Sequence, residues 1–263
     1  MKAQGQYDIK SIAITGCNRG IGLAMLKYVV NNSDSDVKIF AMSRRTSEGQ
    51  DELCKRDNVH YVNIDVTDKA TVEAAADKVK SVVGDAGLNL LVNNAGVASS
   101  NVFAKSLETS AEEMQRMFNI NAVSTHMVIT AFYPLLKQSA TVANKHLPIC
   151  SARGAIVNFS SIVASIGMAP PLGTSLVFGY AVAKCAVNMM TKMYASEFKD
   201  DGIACVAVHP GWVKSDMGAL GGDMGSGDIT TDESGEHMIN IAQNITEELS
   251  GYYLKKDCEK LPF

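Results

Sequence analysis

The 263-residue chain has no apolar run approaching the roughly 18 residues a membrane-crossing helix needs. Its opening, MKAQGQYDIK, lacks the apolar stretch of a secretory signal, so a soluble, cytoplasmic protein is expected. No two of the six cysteines form a Cys-x-x-Cys pair, which argues against a zinc site or a disulfide framework and leaves reduced thiols. The five histidines show no metal-ligand spacing, so no metal is expected. Gly-x-Ser-x-Gly is missing, which disfavours a serine hydrolase. There is no basic excess either. A formal charge of -4 gives no global footprint for nucleic acid or an anionic membrane, although a local basic pocket stays open.

What is present is an ordinary globular composition, 46% hydrophobic and 20% charged, at a length that fits one large α/β domain over 1–263. Short, continuously apolar segments at 9–15, 37–42, 59–64, 88–92, 155–159 and 203–208 read as strands. Helical spacing begins at Gly20 and recurs over 69–83, 111–136, 179–198 and 236–249. The helix over 111–136 is expected to end around Pro134 or soon after. A weak final strand is expected at 251–254. Strands apolar on both faces and alternating with helices predict a doubly wound parallel sheet with helices on both faces. The polar, glycine-rich stretch 218–234 reads either as a lid over the ligand edge of that sheet or as a solvated loop.

Between the first strand and first helix lies Thr15-Gly16-Cys17-Asn18-Arg19-Gly20-Ile21-Gly22. Glycines at this junction allow a tight turn and let a pyrophosphate approach the backbone at a helix N-terminus. The spacing alone is weak, because Gly221, Gly225 and Gly227 repeat it in a polar loop with no preceding strand. The context of the first copy points to a Rossmann-type dinucleotide site. At the end of the second strand, an acid would bind a ribose 2′-OH and repel a 2′-phosphate. Ser43-Arg44-Arg45 stands there instead, and Arg19 adds another cation. NADP(H) is therefore expected over NAD(H), with solvated surface arginines as the bland alternative. Asp65 is placed to accept from the adenine amino group or, alternatively, to cap a helix, where Thr67 or Asp68 would serve better.

Tyr180 and Lys184 stand four residues apart on one helical face. A phenol is protonated at neutral pH and can donate, and a nearby ammonium eases proton exchange. The spacing is not specific, since Tyr133/Lys137 and Tyr252/Lys256 share it. Only Tyr180 follows a strand-ending serine pair and opens a small-residue helix.

The ordered set TGCNRGIG at 15–22, Asp65-Val66, Asn93-Asn94-Ala95-Gly96, Asn119-Ile120-Asn121, Ser160-Ser161, Tyr180-x3-Lys184 and Pro210-Gly211 resembles the classical short-chain dehydrogenase/reductase family over nearly the whole chain. The resemblance implies Tyr180 as general acid/base and Ser161, rather than Ser160, as the group polarising the substrate oxygen. It implies Lys184 on the nicotinamide ribose and Asn121 holding a relay water. Asn93, Ala95 and Gly96 would support sheet and cofactor, and Val213 and Ser215, after Pro210-Gly211, would meet the carboxamide. The implied chemistry is hydride transfer between the nicotinamide and a small carbonyl substrate, or the reverse alcohol oxidation. A regulatory NADPH-binding protein on the same fold is the other reading, and the complete Asn-Ser-Tyr-Lys set argues against it. Ser161 and Tyr180 are 19 positions apart, longer than is typical of the family. The extra segment 166–174 either borders the substrate site or is a tolerated insertion. With HPGWVKSDMG at 209–218 and the Leu261-Pro262-Phe263 end, it resembles the C-factor/sniffer-like carbonyl reductase branch. Apolar faces on 111–136 and 179–198 predict a homodimer or homotetramer.

Overall fold

The computed structural model describes residues 7–99, 106–168, 177–215 and 227–263. Eight strands form one sheet in the order β3-β2-β1-β4-β5-β6-β7-β8. They are β1 (Ser11–Thr15), β2 (Lys38–Ser43), β3 (Val59–Asn63), β4 (Leu90–Asn93), β5 (Ala155–Phe159), β6 (Ala204–Val208), β7 (Tyr253–Lys255) and β8 (Glu259–Leu261). All neighbours are parallel except the β7–β8 pair. The helices are α1 (Gly20–Asn31), α2 (Glu48–Leu53), α3 (Lys69–Val83), α4 (Ala111–Phe118), α5 (Ser124–Gln138), α6 (Phe178–Glu197) and α7 (Thr231–Gln243).

The continuous apolar runs reflect burial on both faces. Along β1, Ile12 and Ile14 pack into the layer with α1 and α7, while Ala13 joins the opposite layer with α3 and α5. Along β2, Ile39 and Ala41 alternate with Phe40 and Met42 in the same way. This is a Rossmann-type, doubly wound α/β domain. The strand order reverses between β1 and β4, and ligands of such sheets bind outside the C-terminal strand ends at that point. No helix among the described residues is long and apolar enough to cross a membrane.

Several expected boundaries need correction. The helix expected over 111–136 is two helices joined by a wide π turn, Asn119–Val123. α5 passes through Pro134 and ends at Gln138, soon after it as expected. The carbonyl that Pro134 leaves without a donor belongs to exposed Thr130, where water reaches it. The helix expected over 236–249 is α7, starting five residues earlier, plus a separate short turn at Glu247–Leu249. Thr230 and Glu233 form a full capping box at its start, which sets the first turn within a polar segment. The end of the stretch 218–234 is thus helix; positions 216–226 lie outside the described residues. α2 and β8 were not expected at all.

Candidate active site

A cleft of about 860 Å³ opens at the C-terminal ends of β1–β4. It is lined by Gly16, Asn18, Arg19, Gly20, Ile21 and Gly22 from the glycine loop, and by Ser43, Arg44 and Arg45 after β2. Asp65, Val66, Ala95, Gly96 and Ser215 also line its walls, whereas Thr15, Asn93, Tyr180, Lys184, Pro210, Gly211 and Val213 of the expected set do not. Asn119 and Ile120, from the Asn119-Ile120-Asn121 motif, also line it, as does Arg116, which carries no motif of its own.

The loop geometry demands its glycines. Gly16 has φ +75°, and a Cβ on Gly22 would lie 2.1 Å from the Gly16 carbonyl oxygen. Ser47, Asp68, Ser110 and Thr230 cap α2, α3, α4 and α7 through their side chains, whereas Arg19 gives α1 no such cap. The first N–H groups of α1 therefore face the cleft as a ready anion site. The loop is tied down by Gly16 N–H donating to Met42 O at 2.7 Å.

Arg44 is largely exposed, and its Nη1 stands 3.8 Å from Asp65 Oδ2. Burial raises the Asp65 pKa, but hydrogen bonds from Thr67 and the Arg44 charge outweigh it and hold the carboxyl below its ordinary value. The cap of the following helix, α3, is Asp68 and not Asp65. The Ser43 hydroxyl is turned into the scaffold, bonding Gln50 Oε1 and Arg45 O at 3.0 Å each. Thr15 likewise binds β1 to β4, its Oγ1 accepting from the N–H groups of Asn94 and Ala95, both at 3.0 Å. Asn93 Nδ2 donates to Asn158 Oδ1 at 2.9 Å, joining β4 to β5.

Beside the cleft, α6 brings Tyr180 and Lys184 against the ends of β4 and β5. The Ser161 hydroxyl is hydrogen-bonded to Tyr180. Burial nevertheless pushes the Tyr180 phenol up to about 12. Lys184 is 4% exposed, and its Nζ lies 5.8 Å from the Tyr180 ring centroid and donates to Phe159 O at 2.7 Å. Burial lowers this ammonium to about 8. Gly96 makes the approach possible, since a Cβ there would be 2.8 Å from Asn121 Oδ1 and 3.5 Å from Lys184 Nζ. Asn121 is fully buried in the π turn. Its Oδ1 accepts from Val97 N–H at 3.0 Å and its Nδ2 donates to Val97 O at 3.1 Å, so the side chain is committed to the backbone. Ser160 also points inward, donating to Lys184 O at 3.4 Å.

After β6, Pro210 O accepts from Ser234 Oγ at 2.7 Å, and Gly211 takes φ +90°. Val213 bridges to Ile229. Gly227, the last glycine of the second glycine-rich stretch, packs so tightly that a Cβ would lie 2.6 Å from the Val213 carbonyl carbon. Gly221 and Gly225 lie outside the described residues. The other tyrosine–lysine pairs are elsewhere. Tyr133 and Lys137 share Asp201 on the surface. Tyr252 carries Lys260 over its ring at 3.5 Å and Lys192 at 5.1 Å, not Lys256.

The family model for short chain dehydrogenases matches residues 10–223. The chain belongs to this family. This short chain dehydrogenase, an oxidoreductase, is 31% identical over 265 residues to an uncharacterised oxidoreductase of Schizosaccharomyces pombe, covering 95% of this chain and 96% of the relative. Its fold matches the NADPH-bound carbonyl reductase from chicken fatty liver at TM-score 0.85 and 32% identity, over 97% of this chain and 99% of that one. It matches the carbonyl reductase Sniffer of D. melanogaster at TM-score 0.89 and 30% identity, over 97% and 100%. The resemblance read from the ordered motifs therefore holds for this short chain dehydrogenase, including its branch.

Proposed function

We propose that the chain is an NADPH-dependent carbonyl reductase acting on a small aldehyde, ketone or quinone. The observation that carries this reading is the group of half-buried Tyr180 and Ser161 with buried Lys184, beside a cleft whose β2 end holds two arginines and no acid. NADPH in the chicken liver neighbour supports the cofactor. The residues of this chain also fit it. The uncapped start of α1 with Gly16, Asn18, Gly20, Ile21 and Gly22 would hold the pyrophosphate, and Arg44 with Arg19 the 2′-phosphate. Asp65 and Val66 would meet the adenine, Lys184 the nicotinamide ribose, and Val213 and Ser215 the carboxamide. Thr15, Ser43, Asn93, Ala95, Gly96, Pro210 and Gly211 would shape the cradle.

The bound dinucleotide supplies a hydride to the carbonyl carbon. Tyr180 donates its phenolic proton to the carbonyl oxygen as the alcohol forms. Its raised pKa keeps that proton in place at neutral pH, which suits reduction. Ser161 hydrogen-bonds the same oxygen and orients it. The Lys184 cation stabilises the phenolate left behind and helps return a proton to it. Asn121, fixed to Val97, sets the wall behind Lys184 and the end of the proton path.

The test is loss of NADPH absorbance with a panel of small quinones, aldehydes and ketones, run against NADH. Turnover with NADPH is expected. Tight NADPH binding with no turnover on any panel member would favour the regulatory reading, and a marked preference for NADH would sink the roles given to Arg19 and Arg44.

We also propose a homodimer. Val182, Met189 and Met193 are exposed on one stripe of α6, and Phe118 and Val123 are exposed on the adjoining α4 and π turn. A second copy seated on this face would cover them. Met189→Glu with Met193→Glu is expected to halve the mass seen by light scattering; an unchanged mass would overturn the interface.

A further inference from the structure

Ser161 sits just beyond the last β5–β6 rung, Phe159↔Val208, so the sheet does not hold it. Only a short 3-10 turn, Ile162–Ala164, follows it. The middle of the loop is met by α6, where Asn188 Nδ2 donates to Ala164 O at 3.5 Å, and its two ends are held from two more distant places. Ile162 N–H donates to His209 Nδ1 at 3.2 Å, from the end of β6. Ser165, 1% exposed, donates its hydroxyl to Pro262 O at 2.6 Å and accepts from Met168 N–H at 3.2 Å. Gly167 N–H donates to Phe263 O at 2.9 Å. Ile162 and Met168 pack on the cluster of Tyr253, Leu261 and Phe263.

These contacts explain β8. Its antiparallel pairing, Tyr253↔Leu261, turns the chain back so that Pro262 and Phe263 reach the loop after Ser161. They also explain His209. An imidazole that accepts at Nδ1 must be neutral with its proton on Nε2. Burial, with the Lys255 charge adding to it, lowers this ring to about 4, which keeps that state.

We infer that His209 and residues 261–263 are positioning residues for Ser161, seating the 161–168 loop so that the serine hydroxyl meets both Tyr180 and the substrate oxygen. This rests on the reading of Ser161 given above. The two elements act on the loop from opposite ends, at Ile162 and at Ser165–Gly167, and neither touches the dinucleotide cleft.

The experiment compares His209→Leu, His209→Asn and Ser165→Ala with Ser161→Ala. The amide oxygen of asparagine stands as far from its Cβ as Nδ1 does in histidine, so it keeps the acceptor. Turnover is measured on whichever panel substrate the chain reduces fastest, with NADPH affinity by fluorescence and hydrogen exchange of the 161–168 amides alongside. His209→Leu and Ser165→Ala are expected to lower kcat about tenfold or more through misplacement. NADPH affinity stays within about twofold, because the cofactor loop is untouched. Amide exchange speeds up at Ile162 in the first variant and around Ser165 in the second. His209→Asn restores most of the turnover. Wild-type kcat in both variants beside an inactive Ser161→Ala overturns the inference and leaves the Ser161 role standing. Full turnover in Ser161→Ala overturns both. An asparagine variant no better than leucine, with NADPH affinity lost in parallel, marks His209 as merely structural. Ser165→Ala carries the test should His209→Leu fail to fold.

Discussion

Two tyrosine–lysine pairs in this chain set the ammonium at nearly the same distance from the ring and have opposite surroundings. On α6, Lys184 Nζ lies 5.8 Å from the Tyr180 ring centroid; on α5, Lys137 Nζ lies 5.6 Å from the Tyr133 centroid. Helical spacing fixes that much and no more. Lys184 is buried, its partner is a neutral carbonyl, and its pKa falls to about 8. Lys137 is exposed, pairs with Asp201 Oδ1 at 2.9 Å, and its pKa rises. Tyr180 bonds a serine hydroxyl, while Tyr133 donates to the Asp201 carboxylate and stacks on Phe198 at 4.6 Å. The carboxylate makes the second pair a surface clasp between α5 and the end of α6. Beside the first, a serine hydroxyl and the Phe159 carbonyl stand in place of that carboxylate, and on the reading proposed above Tyr180 is the proton donor and Lys184 its cation. What separates the two pairs is what the spacing is packed against.

The sharpest way to break this comparison is to remove each phenol. Tyr180→Phe should lower reductase turnover by about 10²–10⁴, the range of a lost general acid, with NADPH affinity kept. Tyr133→Phe should leave turnover intact and cost about 1 kcal/mol in urea unfolding, the scale of one hydrogen bond. Equal loss of turnover in both variants would show that the two pairs do not differ in function.

A second, smaller effect lies in pH. For reduction, kcat/KM should fall as pH rises through about 8, where Lys184 loses its charge, well before Tyr180 deprotonates near 12. Lys137 stays charged over that range because its pKa is raised. Stability carries the same signature. The folded pKa of Lys184, about 8, lies below the ordinary 10.5, so between these values the unfolded chain binds more protons. Its contribution to stability therefore rises with pH across that window. The difference between wild type and Lys184→Met in urea midpoints from pH 7 to 10 should show this slope. A flat difference would mean that Lys184 is not desolvated in solution.

Some of this was legible in the residues themselves. Ile12, Ala13 and Ile14 read as a strand buried on both faces, and Gly16, Gly20 and Gly22 followed it at once, so the cofactor end of the sheet needed only local pattern. Tyr180 was separable from Tyr133 and Tyr252 by its neighbours in sequence. The π turn at Asn119–Val123 was not, because the apolar positions of α4 and α5 keep helical spacing through it, and the extra residue is set by Asn121 reaching Val97, 24 positions away. The seating of the 161–168 loop by His209 and Pro262 was also hidden. These contacts join residues 47 and 97 positions apart and use backbone groups that carry no residue signature. Arg116 went unread because its Glu113 partner, one turn back at 2.8 Å, makes it look like any surface helix pair.

The smallest expected effect sharpens the comparison most cleanly. Lys137→Met should leave turnover unchanged and lower the urea midpoint by less than Tyr133→Phe does, because an exposed ion pair is screened by solvent. In about 1 M salt the Debye length shrinks to about 3 Å, and even that small difference should vanish. Lys184 should respond differently. Its pKa is lowered by loss of water rather than by a charged neighbour, and salt does not restore water to a site with 4% exposure. The pH limb near 8 should therefore stay where it is as salt rises. A limb that moves with ionic strength as the Lys137 contribution does would mean that the two lysines see the same solvent, and that burial is not what separates the pairs.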